Sequence, residues 1–374
     1  MRLFNCHACE QVLFFENGFC VNCGTSVAYC PEVSDFVPLP SNANEPGAAI
    51  EMVMPGGKSE TFRRCRNFEL EGACNWLVQT SQDQAFCLSC RLSEVIPDLS
   101  DPTNRKAWVE IELAKRRLLH TLFALNLPVA SKAEDPEAGM TFRFLHDTDQ
   151  EKVLTGHADG VITLNIAEAG AAYRENAREK LGEAYRTVLG HLRHEIGHYY
   201  WDRLVRDGAA LESFRRLFGD ERQSYQEALT RHYEQGPPAN WVDSFVSAYA
   251  TMHPWEDWAE TWAHYLHMVD TLETAKSHGL TLRVLGTSRG EQVATGDLVF
   301  RDFESLIAGW HTVTLALNNL SRSMGMKDLY PFVLSPAVHE KLRFVHDLVM
   351  HPKGKIVAPN TKVAPVLTGT VAQN

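Results

Sequence analysis

The chain has 374 residues, of which 44% are apolar, so it is long enough for two or three domains with a buried core. Its formal net charge of −11 argues against nonspecific nucleic-acid binding by the whole surface. The first residues, MRLFNCHACE, lack the basic and apolar regions of a secretory signal, and no run approaches the roughly 18 apolar residues of a membrane helix. We therefore expect a soluble, cytoplasmic protein without a membrane partner.

All nine cysteines lie within the first 90 residues, where their spacing is typical of metal knuckles and not of a disulfide framework. Two Cys-x-x-Cys turns each direct two thiolates to one point, and together they complete a tetrahedral zinc site. The predicted ligands of this first structural zinc are Cys6, Cys9, Cys20 and Cys23. The predicted ligands of a second structural zinc, with only one such turn, are Cys65, Cys74, Cys87 and Cys90. Cys30 is left over, and we expect it to be a small buried apolar side chain.

Composition and turn signals divide the chain into three parts. Residues 1–97 are rich in cysteine and turns and are predicted to form a tandem zinc-ribbon domain, in which zinc contributes much of the folding free energy. The stretch IPDLSDPTN then marks a boundary, and Asp101 or Thr103 could cap the next helix. Residues 98–351 form the second domain, and the polar, Pro-punctuated residues 352–374 are expected to be a flexible C-terminal tail.

The second domain mixes helical and strand patterns. Residues 104–127 keep a helical apolar stripe, whereas residues 140–147 alternate as in a strand and residues 161–169 are rich in β-branched side chains. We expect residues 161–166 to form the edge strand on which an extended peptide aligns. One long helix is predicted over residues 172–206.

This helix carries the stretch GHLRHEIGHYYWDRL, in which two histidines stand one helical turn apart. His194 and His198 lie on one face, and buried imidazoles need partners that a metal ion would supply. The intervening Glu195 is displaced from the metal position but close enough to accept a proton from a metal-activated water. A chance match to this pattern is expected about a few per cent of the time, so a third ligand is needed to decide.

The stretch HPWEDWAETWAHYLHMVD, residues 253–270, offers that third ligand. Pro254 suits the first position of a helix whose one face is rich in tryptophan. A second face carries a row of ionisable side chains, namely Glu256, Glu260, His264 and His267. The alternative, that Glu256 only complements the helix dipole, explains one carboxylate and not the row.

The motif HEIGH, followed by Glu256 and by Glu260 four residues later, resembles the gluzincins. Within that group, YATMHPWEDWAE looks like the corresponding segment of Mlc titration factor-type and lethal factor-type peptidases. The resemblance implies that Glu256 is the third zinc ligand and that Glu260 orients a ligand histidine. It also implies a role for Tyr249, since a tyrosine stands seven residues before the ligand glutamate in those peptidases.

A closer resemblance covers nearly the full length, the tail excepted. The chain resembles a bacterial family of zinc-binding metallopeptidases with an N-terminal zinc-ribbon domain. The stretches that carry this resemblance are ACNWLV, CLSCRLSEVIPDLS, YRTVLGHLRHEIGHYYWDRL, HPWEDWAETWAHYLHMVDTLETA and SMGMKDLYPFVL. The fold it implies is α+β, with a zincin-like, mainly helical peptidase domain that has a small sheet and follows the tandem zinc ribbon.

We therefore expect a zinc-dependent peptidase that acts on a peptide or protein, with one catalytic and two structural zinc ions. Zinc-activated water is the nucleophile and Glu195 the general base. Tyr249 is expected to stabilise the transition state, unless it is only a core aromatic packed beside Phe245. His253 and His264 are alternative donors.

Two other functions remain open from the residues. The chain could be a zinc-ribbon adaptor or regulatory binding protein whose peptidase-like domain is not catalytic, although a structural zinc would need no general base such as Glu195. The ribbons could also bind a protein partner. Nucleic-acid binding by the ribbons is not expected, because RRCRNF and CRLSE hold too few basic residues.

Overall fold

The structure is a computed structural model that describes residues 2–43, 45, 47–148, 150, 152–181, 186–283, 292–294 and 302–351. The chain divides into two compact units, one spanning Phe4–Cys87 and the other beginning at Leu88. The predicted tail, residues 352–374, lies outside the described residues.

The first unit consists of short antiparallel strands and short helical turns. Its elements are β1 (Phe4–Asn5), β2 (Val12–Leu13), β3 (Val27–Cys30), β4 (Asp35–Pro38), β5 (Ile50–Val53), β6 (Ser59–Arg64), α1 (Arg66–Glu69) and β7 (Leu77–Gln79). Strand β1 pairs with β2, β3 pairs with β4, and β5, β6 and β7 form a three-stranded sheet. Such short strands bury little surface, and a fully buried aromatic group around Tyr29 and Trp76 forms much of the core.

The second unit contains a four-stranded sheet and most of the helices. Its strands are β8 (Ser93–Val95), β9 (Thr141–Leu145), β10 (Gly156–Ala158), β11 (Val161–Asn165), β12 (Thr281–Arg283) and β13 (Gln292–Ala294). Its helices are α2 (Leu88–Arg91), α3 (Pro102–Ala124), α4 (Ala171–Leu181), α5 (Val188–Leu204), α6 (Leu211–Phe218), α7 (Tyr225–Gln235), α8 (Pro254–Ser277), α9 (Phe303–Ser323) and α10 (Pro336–Met350). The predicted α+β class, mainly helical with a small sheet, is confirmed.

Local capping explains where the long helices begin. The side chain of Asp101 accepts a hydrogen bond from the backbone N–H of Thr103 and so caps α3. His253 caps α8 in the same way, and Pro254 occupies the first turn, where its missing N–H has no consequence. The predicted roles of Asp101 and Pro254 at these helix starts are confirmed.

The single long helix predicted over residues 172–206 is wrong, because the structure has two helices in this range. Helix α4 ends at Leu181, and residues 182–185 lie outside the described part of the chain. Thr187 has an extended backbone, and its side chain accepts a hydrogen bond from the N–H of Gly190 at 2.9 Å. It is therefore the cap of a new helix, α5.

The sheet order is β10-β11-β9-β8, so residues 161–166 do not form its edge. Asp159 and Gly160 both have left-handed backbones and form the two-residue turn of a hairpin between β10 and β11. This hairpin covers β11, which also pairs in parallel with β9. The edge strand beside β11 is β10, and the predicted edge strand was wrong.

In the described part of the chain, no helix is long and apolar enough to cross a membrane.

Candidate metal centre and active site

The site forms where α5 packs against α8. The two helices approach closely at Gly197. A Cβ atom added there would lie only 3.1 Å from the Cα of Ala259 and 3.2 Å from the Cβ of Trp262, so glycine permits this close contact. The indole N–H of Trp258 donates a hydrogen bond of 2.8 Å to the carbonyl of Gly197. This contact fixes the two helices one against the other and brings together residues that are more than 50 positions apart in the sequence.

Two histidines of α5 and a glutamate of α8 meet at this contact. Each of His194, His198 and Glu256 offers one ligand atom, and the three atoms lie within 4.8 Å of one another. The Nε2 atom of His194 is 2.9 Å from one oxygen of Glu256, and Nε2 of His198 is 3.5 Å from the other. All three side chains are buried. Side chains predicted from two separate motifs therefore meet at one point.

The donor set and its spacing suit zinc. Ligand atoms about 2.1 Å from zinc in a tetrahedron lie roughly 3.4 Å apart, which is close to the separations observed here. The Nδ1 atom of His198 is buried and, among the described residues, makes no hydrogen bond. Burial opposes ionisation of Glu256, but the facing imidazoles of His198 and His194 outweigh it and hold the pKa of this carboxyl well below its usual range. A buried carboxylate between two imidazoles is an arrangement that a cation stabilises.

Glu260 contacts His194 and not the point where the three side chains meet. Its Oε1 atom is 2.7 Å from Nδ1 of His194, and its Oε2 atom accepts a hydrogen bond of 2.5 Å from the hydroxyl of Ser247. Burial raises the pKa of Glu260, but His194 outweighs it and lowers that pKa to about 2. An ionised carboxylate at Nδ1 keeps a proton on that nitrogen and leaves Nε2 free to bind metal.

Glu195 is buried beside the histidines, one turn after His191 on the same helix. Its Oε1 atom is 3.7 Å from Nε2 of His191, and its Oε2 atom has no hydrogen-bond partner among the described residues. The Nδ1 atom of His191 lies 2.5 Å from Oε2 of Glu168. Burial opposes protonation of His191, but Glu168 outweighs it and raises the pKa of the imidazole. No motif in the sequence indicated a role for His191 or Glu168.

Tyr249 lies near the site, with its ring centroid 6.0 Å from that of His194. Burial and the Glu256 carboxylate raise the pKa of Tyr249, so its hydroxyl stays protonated and can donate a hydrogen bond. The hydroxyl that reaches Glu256, however, belongs to Tyr225, which donates a 2.9 Å hydrogen bond to Oε1 of Glu256. Tyr225 begins α7 and is 39% exposed, so it faces both the site and the solvent. No motif in the sequence indicated it.

The two histidines considered as alternative donors have other partners. Nδ1 of His253 caps α8, and Nε2 of His253 lies 3.2 Å from the carbonyl of Gln223. Nδ1 of His264 lies 2.7 Å from the hydroxyl of Tyr330. Both side chains are buried, so the structure favours neither over the two tyrosines as a donor to substrate.

The cysteines form the two predicted groups of four, with ligand atoms within 4.8 Å in each group. The Sγ atoms of Cys6 and Cys23 are 3.7 Å apart, and those of Cys9 and Cys20 are 3.6 Å apart. Thiolates about 2.3 Å from a tetrahedral zinc lie roughly 3.8 Å apart, so the first group fits zinc. In the second group, the Sγ atoms of Cys74 and Cys87 are 3.7 Å apart, and the other two members are Cys65 and Cys90. Cys30 belongs to neither group and is fully buried, as predicted.

The chain matches two protein-family models along most of its length. Residues 104–348 match a model described as "Putative zinc-binding metallo-peptidase", and residues 3–101 match a model described as a "zinc-ribbon domain". Relatives in Mycobacterium tuberculosis, strains H37Rv and CDC 1551, and in Mycobacterium bovis bear the name "Uncharacterized protein". Each is 41% identical over 350 residues, which make up 93% of this chain and 95% of the relative. No solved structure matches the chain.

The family matches agree with the three clusters. Together they are consistent with zinc as the metal, with one catalytic and two structural ions. The resemblance stated from the sequence is confirmed. The chain belongs to the family of zinc-binding metallopeptidases that carry an N-terminal zinc ribbon.

Proposed function

We propose that the protein is a zinc-dependent peptidase that hydrolyses peptide bonds with Glu195 as general base. The observation that carries this proposal is the meeting of His194, His198 and Glu256 beside the buried carboxylate of Glu195. These three residues would hold the catalytic zinc, with Glu260 fixing the tautomer of His194. A zinc ion held there would lower the pKa of a water molecule to about 7 and polarise a carbonyl group.

Glu195 is suited to move a proton and not to bind the metal. It follows His194 directly on the helix, so its side chain points about 100° away from the ligand direction. Its Oε2 atom has no hydrogen-bond partner among the described residues and can accept a proton from water. The same carboxyl group can then donate that proton to the departing amine nitrogen, which leaves Glu195 ionised for the next cycle.

Either tyrosine beside Glu256 could donate a hydrogen bond to the oxyanion that forms during hydrolysis. Tyr249 was predicted for this role, but the hydroxyl of Tyr225 is hydrogen-bonded to Glu256 at 2.9 Å, and Tyr225 is the more exposed of the two side chains. A donor fixed in place for the oxyanion is worth about 3 kcal/mol of transition-state stabilisation. We propose both residues as candidates, and their separate Phe variants distinguish them.

Strand β10 is the surface on which we propose that an extended peptide aligns. It is the terminal strand of the sheet order, and its His157 ring lies 6.2 Å from the ring of His198, nearly parallel to it. A peptide added to this edge would form main-chain hydrogen bonds within reach of the metal ligands. Burial, with repulsion from His198 after it, lowers the pKa of His157 to about 3, so its ring stays neutral at physiological pH.

The Glu195→Gln variant tests the function. The amide keeps the shape of the side chain but cannot accept the proton, so we expect full zinc content and a kcat lower by about 10²- to 10⁴-fold. The assay is cleavage of a peptide library by the zinc-loaded chain, analysed by mass spectrometry. The matched control is Glu212→Gln on α6, where the carboxylate is exposed and should leave activity unchanged. Equal cleavage by the parent and Glu195→Gln would remove the general-base role. No cleavage by the parent would favour the adaptor alternative, in which the domain binds a partner without catalysis.

A further inference from the structure

The general base is one end of a chain of three ionisable side chains. Nε2 of His191 faces Oε1 of Glu195 at 3.7 Å, and Nδ1 of the same ring lies 2.5 Å from Oε2 of Glu168. A carboxylate only accepts hydrogen bonds, so the proton of this short contact resides on Nδ1. The ring is thereby fixed with its other nitrogen directed at the general base.

Glu168 is itself held from two sides. It is buried in the short helical turn Ile166–Ala169, which directly follows β11. Its Oε1 atom accepts a hydrogen bond of 2.8 Å from the hydroxyl of Thr155, and the guanidinium of Arg186 lies 3.6 Å from its Oε2 atom. A carboxylate with fixed partners can orient an imidazole, as carboxylate–histidine pairs do in other sites.

We propose that His191, oriented by Glu168, is a positioning residue that holds the carboxylate of Glu195 in the rotamer required of the general base. This inference rests on the proposed function, because it assigns His191 a role in the action of Glu195. The separation of 3.7 Å is longer than a hydrogen bond, and contacts of this kind often shorten only when substrate is bound. His191 faces Oε1 of Glu195, whereas Oε2 has no hydrogen-bond partner among the described residues.

The alternative is that His191 only anchors the turn after β11 to α5 and has no role in catalysis. The contact between Glu168 and His191 alone would suffice to tie the turn after β11 to α5. It would not require the second nitrogen of the ring to face a buried carboxylate on the next helical turn. A positional effect through Glu195 therefore predicts energetic coupling between His191 and Glu195, whereas an anchor predicts independent effects.

A double-mutant cycle measures this coupling. The variants are His191→Phe, Glu195→Gln and the two combined, all in the full-length, zinc-loaded chain. The probe is acetohydroxamate, which binds zinc and releases its hydroxyl proton to a nearby base, so its Kd from calorimetry reports the base without turnover. We expect His191→Phe to raise Kd about tenfold in the parent and to have no further effect in the Glu195→Gln chain. Zinc content, measured by mass spectrometry, should not change.

Two further variants separate positioning from folding. His191→Gln carries an amide nitrogen near the place of Nε2 and should recover part of the loss, while Glu168→Gln should act in the same direction as His191→Phe. Tyr200→Phe is the matched control, because it also removes one buried hydrogen bond of α5, to the carbonyl of Pro128. It should lower thermal stability without changing Kd. If His191→Phe loses zinc, Glu168→Gln takes its place in the double-mutant cycle with Glu195→Gln.

The outcomes distinguish this inference from the proposed function. Unchanged Kd in His191→Phe, or losses that multiply independently in the double variant, would overturn the positioning role even if the parent cleaves peptides. Coupling seen with acetohydroxamate in a parent that cleaves no peptide would support the positioning role and reject the peptidase proposal. No binding of acetohydroxamate by the zinc-loaded parent would count against both. Where peptides are cleaved, His191→Phe should lower kcat about 10- to 100-fold and leave KM within about twofold.

Discussion

Replacement of Gly197 by alanine tests whether the close contact of α5 with α8 sets the metal site. The new Cβ atom would lie 3.1 Å from the backbone of Ala259 and 3.2 Å from Trp262, so the helices must separate by a few tenths of an ångström. In an open helix the same change would stabilise the protein by about 0.5–1 kcal/mol, because glycine loses more backbone entropy on folding. Overpacking in a buried contact costs about 1–3 kcal/mol. We expect a net loss of about 1 kcal/mol.

Zinc affinity should be more sensitive to this separation of the helices than the free energy of unfolding is. Zinc sites tolerate displacements of about 0.2 Å in their ligand distances, and the histidines are on α5 whereas Glu256 is on α8. We therefore expect zinc affinity at this site to fall about tenfold, which corresponds to about 1.4 kcal/mol. For a unit of roughly 250 residues, the loss of stability should lower Tm by about 2–4 °C.

The assay is a competition titration of zinc against a chromophoric chelator, together with thermal unfolding of the zinc-loaded chain. Gly156→Ala is the control, because a Cβ atom there meets nothing within 4 Å. A Gly197→Ala protein that is more stable than the parent and binds zinc equally well would refute the reasoning. It would mean that the helix contact is wide enough for a methyl group and does not set the distance between the ligands.

Three further predictions concern the metals and their neighbours. Purified protein should hold about three zinc ions per chain. A chelator should unfold the first unit, with its cysteine groups, before it unfolds the second unit. A chain with one zinc ion and disulfide-paired thiols would contradict this prediction. Glu256→Ala should abolish zinc at the catalytic site, whereas Glu260→Ala should weaken it about 10- to 100-fold, and the reverse ranking would exchange their roles. Of Tyr225→Phe and Tyr249→Phe, the variant that removes the oxyanion donor should lower kcat about 100-fold with zinc content unchanged. Full activity in both variants would exclude a tyrosine donor.

Parts of the site could be predicted from the sequence because their geometry is local. The spacing of His194 and His198 places both imidazoles on one helix face, and Cys-x-x-Cys turns direct their thiolates to one point whatever the rest of the fold does. The cap Asp101 and the first-turn Pro254 act within one helical turn, so both could be predicted from the sequence and are found in the structure. The family resemblance added Glu256 and Glu260 as partners, a choice that periodicity had left open.

The tertiary structure decided what depends on contacts between distant segments. Tyr225 reaches Glu256 across 31 positions, and Glu168 reaches His191 across 23, so neither pair shares a helix face or a motif from which it could be read. The edge strand was misassigned because a strand's own residues do not show which neighbours pair with it, and the Asp159–Gly160 turn adds β10 outside β11. Local spacing thus determined that the two histidines share a helix face and that the cysteines form knuckles. The packing of helices and the pairing of strands, which join segments far apart in the chain, determined the environment of these side chains.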